Sequence, residues 1–99
     1  TKRGLPAARR AVALNPGRGE YLDTLGALLI IDGAFAEALE LLDRAALITS
    51  SAAIQCHRAQ ALAGLGRKAE ARAACEKALG MNPDPPTRAK IDRVLQELK

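Results

Sequence analysis

Tryptophan is absent, and Tyr21 and Phe35 are the only aromatic residues among 99. Proteins that hold single-stranded nucleic acid stack bases on aromatic rings, so that mode of recognition has almost nothing to work with here. Histidine occurs once, at His57, and cysteine twice, at Cys56 and Cys75, without Cys-x-x-Cys spacing. Zinc sites draw their ligands from such residues, so no metal centre is expected, and no cofactor either. The thiols read as packing groups, Cys75 as a small core residue and Cys56 as a partly exposed one, with a disulfide left open. Reduced thiols fit a cytoplasmic location, with the periplasm as the alternative. Few residues are β-branched, which argues against a sheet. The longest apolar stretches are interrupted by Asp32 or Gly64, far short of the roughly 18 residues of a spanning helix, so no membrane insertion is expected. The chain opens Thr1-Lys2-Arg3-Gly4 without a signal-like stretch. That start reads as a fragment boundary, with the native protein expected to continue upstream.

Catalytic constellations are also missing. Cys56 and His57 are adjacent in sequence, and neighbours on a helix project about 100° apart rather than facing each other. Asp23 and His57 could meet across adjacent helices, but no nucleophile with a third orienting group accompanies them. Gly64-Leu65-Gly66-Arg67-Lys68 lacks both the preceding strand and the spacing of a phosphate loop and reads as a tight turn. The chain is therefore expected not to be an enzyme.

What is present is alanine and leucine in a helical rhythm, with 48% of the residues apolar. Six helices are expected, at about Pro6–Leu14, Gly19–Ile31, Ala34–Leu47, Ala52–Ala63, Lys68–Leu79 and from Asp84 to the end. Asp32-Gly33 and Gly64-Leu65-Gly66 close two of them, Ser51 and Asp84 are positioned as N-caps, and Leu65 is available for packing. Connections are short, so consecutive helices should pack antiparallel. Gly33, Ala38 and Ala45 return as Gly66, Ala71 and Ala78, each 33 residues later. A period of this length marks stacked supersecondary units, none able to bury its apolar face alone. Gly26, Ala38, Ala45, Ala59, Ala71 and Ala78 are small enough to let helices approach closely.

The run Leu22-x-x-Leu25-Gly26-x-x-Leu29, Gly33, Ala38-x-x-x-Leu42, Ala45 resembles a tetratricopeptide repeat. The second copy reads Ala59-x-x-Leu62, Gly66, Ala71-x-x-x-Cys75, Ala78, Pro83, with Gln55 and Arg58 where the family has an aromatic and a leucine. The resemblance implies an all-α, right-handed α-solenoid of antiparallel helix-turn-helix repeats. It divides into residues 1–18 as the second helix of a truncated upstream repeat, 19–51 and 52–83 as repeats, and 84–99 as a capping helix. The Ala-, Leu- and Arg-rich style is similar to C-terminal repeats of longer bacterial proteins of this family. On the first helix, the apolar side with Leu5, Ala8 and Val12 would lack its hairpin partner, which offers a site for self-association.

In the resembled family the first helix of each repeat lines a concave groove that holds a peptide or a partner helix. Carried onto this sequence, the groove would include Glu20, Asp23, Ala27, Ile30, Ala53, Cys56, His57, Gln60 and Ala63. Relatives that clamp an acidic chaperone tail use Lys, Arg and Asn there. Asp23, Ala27 and His57 depart from that pattern, so such a tail is disfavoured. The expected partner is a protein or peptide with basic character opposite Glu20 and Asp23 and an apolar anchor near Ala27 and Ile30. Residues 1–18 carry five Lys or Arg and no acid, and residues 19–43 carry six acids and no base. Basic ends leave an accessory nucleic-acid-binding role as the alternative, disfavoured because no paired base-reading residues recur from copy to copy.

Overall fold

A computed structural model describes residues 4–99, so Thr1, Lys2 and Arg3 of the basic first segment lie outside the described residues. The described chain is all-α, with six helices: α1 (Gly4–Leu14), α2 (Gly19–Ile31), α3 (Phe35–Ile48), α4 (Ala52–Gly64), α5 (Lys68–Leu79) and α6 (Pro85–Glu97). The expected six helices are present, with ends shifted by a residue or two. Their starts keep time: α2, α4 and α6 begin 33 residues apart, as do α3 and α5.

The turns between the helices of each hairpin follow from glycine. Gly33 and Gly66 adopt φ of 80° and 79°, a left-handed conformation that costs a side-chain-bearing residue but not glycine. In each turn two backbone bonds close the preceding helix, Gly33 N–H to Ile30 O at 3.0 Å with Ala34 N–H to Leu29 O at 2.8 Å, then Gly66 to Ala63 at 3.0 Å with Arg67 to Leu62 at 2.9 Å. That is the Schellman pattern, which satisfies carbonyls the helix leaves unpaired. Helix starts depart from expectation in one respect. Ser51 and Asp84 occupy N-cap positions with extended backbone, yet neither side chain bonds the helix it precedes. Leu65, expected to pack, is instead the 39% exposed C-cap of α4.

Each helix packs on its chain neighbours, α4 also contacts α2 and α6, and Arg9 of α1 ion-pairs with Glu37 of α3 at 2.7 Å. The helices α2, α4 and α6 form one continuous layer in which α4 touches both others, whereas α3 and α5 make no backbone-level contact. Helices that touch on one side and splay on the other must curve. The α2–α4–α6 layer is therefore the inside of the curve, and α3 and α5 lie on the outside. Small residues permit the close packing. Ala38, Ala45, Ala59, Ala71 and Ala78 are fully buried, and a Cβ on Gly26 would lie 2.7 Å from Leu42 Cγ.

Two expectations need correction. Cys56 is buried rather than partly exposed, because α6 covers its side of α4. On α1, Leu5, Ala8 and Val12 pack into or against the core, and the exposed side carries Ala7 and Leu14 instead. The helix is rotated relative to the reading from its largest residues.

Candidate functional site

The curvature puts the exposed inner residues of α2, α4 and α6 on one surface. Near its centre the Asp23 carboxylate accepts a hydrogen bond from His57 Nδ1 at 2.6 Å. The two side chains are 21% and 17% exposed, so the pair is half-sheltered between α2 and α4. His57 engages one oxygen of this carboxylate, Oδ1, and leaves the second to other donors. Glu20, at the start of α2, is exposed and lies 3.5 Å from the Arg18 guanidinium, which itself stacks over the Tyr21 ring at 4.9 Å.

Cys56 sits behind this surface rather than on it. Burial pushes its thiol up, the nearby Asp23 charge adds to the effect, and Lys90 opposes it. Cys75 is likewise buried, and its thiol is pushed up to about 11, chiefly by burial. Neither cysteine is disulfide-bonded. Thiols held protonated and out of water are packing groups, not nucleophiles.

Toward the C-terminal ends of the inner helices the surface deepens into a depression of about 340 Å³. Ile30 of α2, Phe35 at the start of α3, Gln60, Ala63 and Gly64 of α4, and Arg93, Val94 and Glu97 of α6 line it. Phe35 is there because Gly64 has no side chain: a Cβ at Gly64 would meet the ring at 2.5 Å. Of the groove residues read from the sequence, Ile30, Gln60 and Ala63 come together in this depression, and Asp23 and His57 come together as a pair. Ala27 and Ala53 are half-buried away from it, Glu20 is exposed at the far end of α2, and Cys56 is covered.

The contribution of α6 was missed. Arg93 and Glu97 stand 33 residues after Gln60 and Gly64, so carrying the repeat register one helix further would have placed both on the inner face. Reading residues 84–99 only as a capping helix hid them.

The outer side differs in character. Where α2 buries Leu22 and Leu25, α4 carries Gln55 and Arg58. Arg58 donates to Gln55 Oε1 at 2.7 Å and to Asp43 Oδ1 of α3 at 2.8 Å. A polar clamp thus replaces two leucines, and Gln55 is satisfied although only 3% exposed.

Among the described residues no helix is long and apolar enough to cross a membrane, and no three His, Cys, Asp or Glu side chains gather as a metal site. No curated protein matches the chain. A family model described as tetratricopeptide repeat matches residues 52–85, the segment holding α4, the Gly66 turn and α5. The matched segment is therefore a tetratricopeptide repeat, a unit that in general serves as a scaffold for protein–protein contact, and the preceding helices keep its 33-residue register.

Proposed function

We propose that the inner face of α2, α4 and α6 is the working surface, holding an extended peptide or a helix of a protein partner. The observation that supports it most is the continuity of that face, from the Asp23–His57 pair to the depression around Ile30 and Gln60. Exposed Glu20 and the second oxygen of Asp23 favour a ligand with basic character, and Ile30 offers it an apolar anchor. The test is affinity capture from host lysate by wild type and by an Ala27→Arg, Gln60→Arg variant of unchanged melting temperature. A protein retained by wild type and lost by the variant, with nuclease treatment making no difference, is the expected result. Capture that nuclease abolishes would favour the nucleic-acid alternative, because phosphate contacts supply most of such binding; equal retention by the variant would reject the inner face.

Self-association through α1 is proposed as a second contact. An apolar depression of about 420 Å³ lies between α1 and α2, lined by Gly4, Ala7, Ala8, Ala11, Tyr21, Thr24 and Leu28. Its α1 residues stand 34 positions before Ala38, Leu41, Leu42 and Ala45, four of the five buried residues of α3. The same pattern that seats a helix on α3 therefore recurs here with an open side. Sedimentation should show concentration-dependent association that Ala11→Glu removes; a monomer at all concentrations would refute this contact.

A further inference from the structure

The depression at the C-terminal end of the inner face carries a more specific reading, which rests on the inner-face proposal. We infer that it is a side-chain pocket for one aliphatic residue of an extended peptide, and that this residue is flanked by an acidic residue on one side and a basic residue on the other. The aliphatic preference comes from the walls. Ile30, Phe35 and Val94 present hydrocarbon, and about 340 Å³ is at the small end of the range for ligand pockets, which suits one side chain rather than a folded element. Gln60 is half-buried at the same wall. Its amide offers both a donor and an acceptor, the complement of a peptide group.

The flanking charges come from α6. Arg93 and Glu97 lie one helical turn apart at the rim, both exposed, and neither forms an ion pair with any described residue. A basic residue four positions before an acidic one is the weaker orientation for pairing along a helix. Glu97 is also the last residue of α6, where the helix dipole disfavours a carboxylate. Folding therefore gains little from either charge, and each is free to meet an opposite charge on a bound chain. Opposed signs one turn apart select an acidic residue at Arg93 and a basic residue at Glu97, which fixes the direction in which the peptide runs.

The test uses fluorescent decapeptides on a Gly-Ser framework, read by anisotropy. Their cores are Asp-x-Leu-x-Lys, the reversed Lys-x-Leu-x-Asp, Ser-x-Leu-x-Ser and Asp-x-Gly-x-Lys. One of the two charged orders should bind about 5-fold more tightly than the neutral core, as expected for two exposed charge pairs. Replacing Leu by Gly should weaken binding about 10-fold through lost apolar burial. The Arg93→Glu, Glu97→Arg double variant alters only exposed positions and puts the acid before the base, the better order along a helix, so it should melt no lower than wild type while preferring the opposite peptide order. Peptides that bind without regard to flanking charge, or whose order preference survives the swap, would overturn the pocket and leave the inner face standing. Failure of every peptide to bind would also overturn the pocket, since the capture experiment decides the inner face separately.

Discussion

Two glycines show how a single missing Cβ is used in different ways. At Gly26 an added methyl meets Leu42 Cγ at 2.7 Å, and Leu42 is fully buried with nowhere to swing. Gly26→Ala gains about 1 kcal/mol in helix propensity but should lose about 1–3 kcal/mol to overpacking, so the melting temperature should fall. At Gly64 the clash is with Phe35, a half-buried ring beside an open depression. That ring can move outward, so Gly64→Ala should be tolerated better than Gly26→Ala; the reverse order in thermal melts would refute this. Cys75 provides a pH signature. Burial raises its thiol from 9.0 to about 11, so above pH 9 the unfolded chain sheds this proton before the folded one does. The sheltered thiol's contribution is whole below pH 9 and declines as pH rises toward 11. Denaturant titrations across that window should show a shallower decline for Cys75→Ala than for wild type; equal slopes would contradict the assignment.

At the scale of helices, the polar clamp on α4 is the departure that sequence pattern flagged but could not resolve. Gln55 and Arg58 stand where α2 has Leu22 and Leu25, and the helix holds because Arg58 bonds Gln55 and Asp43 together. Arg58→Ala would leave the nearly buried Gln55 carbonyl without its donor, at a cost of about 1–3 kcal/mol. Gln55→Leu with Arg58→Leu removes both polar partners and should restore stability to wild-type level or above. A double variant less stable than Arg58→Ala alone, measured by denaturant unfolding, would show that the clamp itself supplies net stability. The helices were legible because apolar spacing and the Gly33 and Gly66 turns depend on residues close in sequence. Side-chain capping by Ser51 and Asp84 was not, since the spacing fixes where a helix starts while the rotamer answers to local surroundings. The rotation of α1 escaped notice for a related reason. Leu5, Ala8 and Val12 turn toward the core while Leu14 stays exposed, so residue size alone does not tell which face packs.

Over the whole molecule, each helix rests on its neighbours and the inner layer runs without a break from α2 to α6. In such a stack the terminal helix still contributes to the shared core. Ile91 of α6 is fully buried, and Ile91→Ala should cost about 2–5 kcal/mol; a loss well under 1 kcal/mol in denaturant unfolding would mean that α6 is not integral to the stack. The same layer explains why half of the candidate site could be read from sequence and half could not. Residues of α2 and α4 followed from the repeat register, whereas Arg93 and Glu97 required treating α6 as a third inner helix, and Phe35 required knowing that Gly64 makes room for it. The Asp23–His57 contact was foreseeable only as a proximity, and its 2.6 Å bond changes what the surface offers. The measurement that tests the central claim most directly is photo-crosslinking in host lysate. A photoreactive residue would replace Gln60 on the inner layer or Arg44 on the exposed side of α3. Partner adducts from position 60 and none from position 44 are predicted; adducts from position 44 alone, or equally from both, would contradict the inner face as the binding surface.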